Sequence, residues 1–191
     1  MMLELPTDGN EVKENWKVME KEPVSIVVET LEQIKDHEGE SYTTERINVS
    51  EERVRVFLEA TGDINPIHFN KERVTESVYS KKADGRIFVP GLFTQSLWTN
   101  EKGIYSALQI NEPNEIILEE MGQTKFTRAV FADSDIVYKF TIKEVIPTMV
   151  GIRTAIKVMW GIEAQTQIGE RMKECMTTEA TLIYISLEDQ G

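Results

Sequence analysis

Three stretches decide how this chain folds: IVYKFTIK over residues 136–143, IRTAIKVMWGI over 152–162 and CMTTEATLIY over 175–184. In the first, Ile136, Tyr138, Phe140 and Ile142 alternate with Val137, Lys139, Thr141 and Lys143. In the second, Ile152, Thr154, Ile156, Val158, Trp160 and Ile162 alternate with Arg153, Ala155, Lys157, Met159 and Gly161. Met176, Thr178, Ala180, Leu182 and Tyr184 do the same in the third. Period two with β-branched enrichment predicts strands, each longer than the usual ~5–6 residues. Gln167-Ile168-Gly169-Glu170 reads as the hairpin turn between the last two. A shorter candidate strand covers residues 124–130.

Working upstream, residues 91–109 (GLFTQSLWTNEKGIYSALQ) follow Pro90 and space Leu92, Phe93, Ser96, Leu97, Asn100, Ile104 and Leu108 by three and four. The first ten residues carry no charge, so the predicted helix is buried almost all round at its start. One buried helix followed by three or four long antiparallel strands predicts an α+β fold, a curved antiparallel sheet wrapped around a central helix. Earlier, SYTTERINV (41–49) is a candidate strand. Ser50 is a good N-cap for a helix that Gly62 stops, with Val54, Phe57, Leu58 and Thr61 on one face.

The 191 residues suggest one domain with an appendage. Residues 1–38 read as an N-terminal extension and 39–191 as the domain. Within the extension, Val24, Val27, Val28, Leu31 and Ile34 predict an amphipathic helix over residues 23–36 that docks on the domain. His37, in Asp36-His37-Glu38-Gly39, reads as a solvated loop residue.

With 33 acidic and 21 basic residues the net charge is −12, which argues against nucleic acid and against an anionic membrane surface. No apolar run approaches the ~20 residues of a membrane span. Residues 1–17 lack a basic and then apolar leader pattern. Cys175 is alone, so neither an internal disulfide nor a cysteine-based zinc site forms. These features lead us to expect a cytoplasmic protein. Cys175 reads as a packed thiol.

Between the two helices lies ATGDINPIHFN, residues 60–70. Asp63 and His68 are five apart, which separates them on a helix and on a strand alike. They converge only if the chain folds back. Gly62 frees the backbone and Asn65-Pro66 starts a turn. Asn70 then caps a short helix over residues 71–78. A carboxylate and an imidazole aimed at one point suit general acid–base work on one water or one substrate proton. The same residues also fit a second reading, in which Asp63 is a helix-end acceptor and His68 a packed core histidine.

TGDINPIH (61–68) resembles the T-G-D-x-N-P-hydrophobic-H signature of the MaoC-like dehydratases and (R)-specific enoyl-CoA hydratases. Residues 57–60 (FLEA) stand where that family has an aromatic-led helix end. RIFVPGLFTQSL (86–97) is similar to the family's segment entering the central helix of the hotdog fold, and KFTRAVFADSD (125–135) to the strand after it. The resemblance covers about residues 39–135. Pro90-Gly91 stands for the family's His-Gly, Ala132-Asp133-Ser134 for its Pro-Gly-Asp turn, and Val74 for its small residue six positions after the histidine.

The resemblance implies a hotdog fold and (R)-specific hydration of a trans-2-enoyl-CoA, or the reverse dehydration of a 3-hydroxyacyl thioester. Asp63 and His68 would hold one catalytic water, Asn65 would fix the loop, and the Gly91 N–H would polarise the thioester carbonyl. Pro90, Leu92 and Phe93 would flank the acyl chain. Lys81, Lys82 and Arg86, with Lys125 and Arg128 on the following strand, are candidates for the phosphates of an acyl-CoA or acyl-carrier thioester, alongside the plainer reading of a solvated basic surface. No cofactor or metal is implied, and a homodimer or higher homo-oligomer is. Two other activities fit the same fold: an acyl-CoA thioesterase and a non-catalytic subunit that binds acyl thioesters.

Overall fold

The computed structural model describes residues 25–78, 80–99, 103–168 and 171–187. The first half runs β1 (Ile26–Val28), a 3₁₀ helix (Leu31–His37), β2 (Ser41–Thr43), β3 (Ile47–Val49), α1 (Glu51–Thr61), a 3₁₀ turn (Pro66–His68), α2 (Lys71–Thr75), α3 (Ser80–Ala83), α4 (Gly91–Ser96) and a second 3₁₀ turn (Leu97–Thr99). The second half runs α5 (Ile104–Ala107), β4 (Leu108–Ile110), β5 (Asn114–Met121), β6 (Lys125–Phe126), β7 (Ser134–Val150), β8 (Arg153–Ile168) and β9 (Arg171–Ser186).

The three alternating stretches are the centre of the fold. β7, β8 and β9 lie side by side and antiparallel. β2 and β3 pair in turn along the outer edge of β7, and β5 and β6 along that of β9. The register sets Phe140 opposite Ile162 and Ile162 opposite Thr178, so the apolar sets predicted on each strand share one face. Val150 pairs with Arg153 across Gly151, whose φ of 61° suits a tight turn. Residues 169 and 170 of the other predicted turn lie outside the described residues, but Ile168 pairs with Arg171 across them.

Phe93, Leu97 and Trp98 of the central helical segment are buried in one cluster with Tyr138, Phe140 and Trp160 of that face. The Tyr138 hydroxyl donates to the Thr94 carbonyl, which docks α4 on the sheet. Phe140 meets Trp160 edge-on at 6.3 Å, and Phe57 of α1 meets Phe93 at 5.1 Å. Such aromatic pairs add about 0.5–1.5 kcal/mol each beyond area burial.

Several elements differ from the sequence expectation. The long helix over 91–109 is α4, a 3₁₀ turn, α5 and the short strand β4. Ser96 and Thr99 bond back to the carbonyls of Phe93 and Ser96, which competes with the helical ladder. At Gly103 the backbone presses on the Trp98 carbonyl, where a Cβ would sit 2.0 Å from its oxygen. The amphipathic helix expected over 23–36 is instead β1, paired parallel with β4, and the 3₁₀ helix Leu31–His37. Consecutive β-branched Ile26, Val27 and Val28 favour a strand there. Of the expected apolar face, Val28, Leu31 and Ile34 are buried, Val27 is 55% exposed because the strand turns it away from Val28, and Val24 lies outside the described residues. Residues 1–24 of the extension lie outside the described residues.

The candidate strand 41–49 is two strands. That over 124–130 narrows to Lys125–Phe126, and the helix expected over 71–78 ends at Thr75. β5 was not anticipated: Ile116, Ile117 and Leu118 run consecutively without alternation, Ile116 packing against the core while Ile117 and Leu118 stay exposed on the edge strand.

Candidate active site

The site is built on the way α1 ends. Ser50 caps α1 by accepting from the Arg53 N–H, and Gly62 adopts left-handed φ of 68° after the last turn. The chain then reverses through two side-chain-to-backbone turns. Asp63 Oδ1 accepts from the Asn65 N–H at 2.9 Å, and Asn65 Oδ1 from the Ile67 N–H at 3.4 Å. Pro66 opens the 3₁₀ turn, and the His68 N–H donates to the Asn65 carbonyl. Asn70 caps α2 through the N–H groups of Glu72 and Arg73. The flanking helices are joined by Glu51, which meets Lys71 at 2.8 Å and Arg55 at 2.7 Å. The Lys71 and Arg55 hydrogen bonds hold the Glu51 carboxyl below the usual carboxylate range.

This loop brings Asp63 and His68 together, with Oδ2 and Nε2 3.9 Å apart. That is too long for a direct hydrogen bond and short enough for one small molecule to contact both. The imidazole is 13% exposed and the carboxylate 32%, so both are reachable from solvent. The other imidazole nitrogen, Nδ1, lies 3.0 Å from the Phe88 carbonyl. A carbonyl only accepts, so Nδ1 donates, and Nε2 is the nitrogen that faces Asp63 and serves as base whenever the ring is neutral. The Phe88 N–H donates to the Ile67 carbonyl, so residue 88 grips the loop at two points. Its own segment is held by Val89 N–H to Val130 and Ala132 N–H to Ile87, and the Phe88 and Phe131 rings lie 5.0 Å apart.

Gly91 begins α4 three residues beyond Phe88. Phe93 and Thr94 both donate to the Pro90 carbonyl, while the Gly91 N–H has no backbone acceptor among the described residues. A Cβ at Gly91 would stand 2.9 Å from the Phe126 ring. Gly91 lines a cavity of about 340 Å³ with Val89, Phe126, Arg128 and Cys175. Phe93 is 6% exposed in the core, Leu92 is 67% exposed, and Pro90 is buried.

Of the candidate cations, Lys82, Arg86 and Arg128 line one cleft of about 750 Å³, together with Lys173. Lys81, on α3, and Lys125, on β6, are exposed and outside that lining. The sequence reading missed the Phe88 carbonyl, which leaves no side-chain signal, and Lys173, which joins the cleft only through the register of β9. Cys175 is buried against the Ala164 carbonyl, and burial pushes its thiol up to about 12.

An antiparallel sheet in the order β2-β7-β8-β9-β5, packed on one short central helix, defines a hotdog protein. Solved structures share the fold. One is a monoamine oxidase regulatory protein from the archaeon Archaeoglobus fulgidus, with a TM-score of 0.64 at 16% identity over 86% of this chain and 99% of that one. Another is an (R)-hydratase from Pseudomonas aeruginosa, at 0.58 and 17% over 81% and 89%. A third is the (3R)-hydroxyacyl-ACP dehydratase complex of Mycobacterium tuberculosis, at 0.54 and 16% over 78% and 97%. Among curated protein sequences none matches this chain. The family model described as "FAS1-like, dehydratase domain region" matches residues 36–175, and the chain belongs to that MaoC-like family.

Proposed function

We propose that the protein is a hydratase or dehydratase of enoyl and 3-hydroxyacyl thioesters, in which Asp63 and His68 act on one water. The observation that carries the reading is the pairing of His68 Nε2 with Asp63 Oδ2 across 3.9 Å, with the ring fixed from behind by the Phe88 carbonyl.

Water between the two groups donates one hydrogen to Nε2 and the other to Oδ2. Its oxygen attacks the β-carbon of the enoyl thioester while Nε2 takes the proton. The π pair moves to the α-carbon and the thioester carbonyl, and the imidazolium returns its proton to the α-carbon. One C–O and one C–H bond form as the C=C π bond is lost, and the reverse sequence is the dehydration. The Gly91 N–H stabilises the charge that develops on the thioester oxygen. Water and these groups balance the reaction, so it draws on no cofactor.

The site operates in a homodimer. β5 is an edge strand with Ile117, Leu118 and Met121 each 45–46% exposed, a surface a second copy would cover. The test is hydration of crotonyl-CoA, followed as loss of the enoyl thioester absorbance with free thiol measured in parallel. Hydration without thiol release is the expected result. Thiol release alone would make the protein a thioesterase, and binding without turnover would make it a non-catalytic subunit. Either outcome ends the proposal.

A further inference from the structure

Arg86 is a half-buried cation held by uncharged groups. Its Nε donates to the Ala83 carbonyl at 3.1 Å and its Nη1 to Ser134 Oγ at 3.1 Å, and the guanidinium lies 5.4 Å over the Phe131 ring. Among the described residues no carboxylate pairs with it, although the chain carries 33 acidic residues. Ala83 is fully buried, and Ser134 and Phe131 are nearly so. A planar guanidinium with two directed bonds and a stacked ring holds one geometry, which a flexible ammonium does not. Arg86 therefore ties together the end of α3, the segment over 86–89 and the start of β7. Asp84 and Gly85, both left-handed with φ of 50° and 74°, turn the chain from α3 into that segment.

What Arg86 braces is the support of His68. In extended chain, residues 86 and 88 face the same side, and both reach Phe131, whose ring lies 5.0 Å from that of Phe88. Phe88 and Phe131 form an antiparallel bridge, and with Val74 and Ala83 they make an apolar cluster separate from the main core. Ile67, the residue before His68, packs on that cluster, and its carbonyl accepts from the Phe88 N–H. The Phe88 carbonyl and the Val89 N–H belong to one planar peptide. The N–H is held by the Val130 carbonyl at 2.9 Å, so the Phe88 carbonyl is aimed the other way, at His68 Nδ1. That aim depends on how 86–89 lies against 130–134, and Arg86 joins the two through Phe131 and Ser134.

We propose that Arg86 is a positioning residue for His68: by locking 86–89 onto 130–134 it aims the Phe88 carbonyl and keeps the imidazole proton on Nδ1. This moves Arg86 from the phosphate candidates to the support of the catalytic loop. It rests on the hydratase reading for its catalytic consequence, but its first readout needs no turnover.

The chain holds two histidines, His37 and His68, and His37→Gln assigns their signals. Long-range proton–nitrogen correlation NMR at about pH 8.5, where histidine is ordinarily neutral, reads which ring nitrogen carries the proton. The wild type shows His68 as the Nδ1–H tautomer. In Arg86→Met and Arg86→Lys alike, the ratio shifts toward Nε2–H by a factor of about 2–10, as expected when one hydrogen bond is weakened. In both variants kcat for crotonyl-CoA hydration falls with it, while KM stays within about twofold. Lysine keeps the charge and loses the fork, so its failure to rescue separates positioning from charge. Ser134→Ala removes only the Nη1 acceptor and shifts the tautomer the same way, which decides the matter if neither Arg86 variant folds. An Nε2–H ring in the wild type, or an unchanged tautomer in the folded variants, overturns the proposal. A KM raised in Arg86→Met and restored in Arg86→Lys also overturns it, making Arg86 a substrate ligand. A tautomer shift in a protein that turns over no thioester supports the positioning role and removes the hydratase reading.

Discussion

If Asp63 and His68 hold the same water, their loss is not additive. Asp63→Asn keeps an oxygen where Oδ1 accepts from the Asn65 N–H, so the loop turn survives while the carboxylate charge is removed. His68→Ala removes the base and leaves the Phe88 carbonyl without its imidazole donor, which costs about 1–3 kcal/mol of stability. For a domain of this size that is a fall of about 2–4 °C in Tm per kcal/mol, so the variants are melted before they are assayed. Each single change lowers kcat/KM for crotonyl-CoA hydration by about 10²–10⁴, or about 2.7–5.5 kcal/mol of transition-state stabilisation. Two independent groups would multiply to about 10⁴–10⁸. Two groups 3.9 Å apart that act on one molecule do not multiply, because removing either frees the water from both. The double variant therefore falls within about tenfold of the worse single variant. A double loss equal to the product of the singles, or a folded single variant with wild-type rate, would refute the shared-water mechanism.

Gly103→Ala should lower stability by at least about 2 kcal/mol in chemical denaturation, because its Cβ would meet a main-chain oxygen that has no room to move; an unchanged midpoint would mean the chain does not fold back on Trp98 there. Glu51→Gln should lower Tm at neutral pH by the equivalent of up to about 1 kcal/mol. Since the folded-state carboxyl titrates below its usual range, this contribution is complete above the ordinary carboxylate pKa and is lost as pH falls through the folded value. The Tm gap between variant and wild type should thus close on acidification, and a gap constant down to about pH 3 would contradict the Lys71 and Arg55 pairing. Cys175 should resist a thiol reagent in the native protein at about pH 8 and react fully after denaturation, as expected for a buried thiol pushed up to about 12; rapid native labelling would place it at the surface.

The parts of the molecule legible in the sequence are those whose physics is local. Period-two alternation marked β7, β8 and β9 because one face is buried over the stretches that show it, Ile136–Ile142 in β7, Ile156–Ile162 in β8 and Met176–Tyr184 in β9. Ser50, Gly62 and Asn70 marked helix ends through capping chemistry that involves only neighbouring residues. The bend between Asp63 and His68 was readable for the same reason, since Gly62, Asn65 and Pro66 direct it within six residues.

Tertiary structure decided the rest. Residues 91–109 carry helical spacing, yet the regular helix ends at Ser96, and at Gly103 the chain lies against the Trp98 main chain with no room for a side chain. Ile26–Val28 became a strand because Leu108–Ile110 offered it an edge. The tautomer of His68 depends on a main-chain carbonyl twenty residues away, and the grouping of Lys173 with Lys82, Arg86 and Arg128 depends on strand register. Spacing and capping act over a few residues and leave their mark in order along the chain. Contacts between distant segments form only when the core closes, and a backbone carbonyl or a register leaves no mark in any one residue.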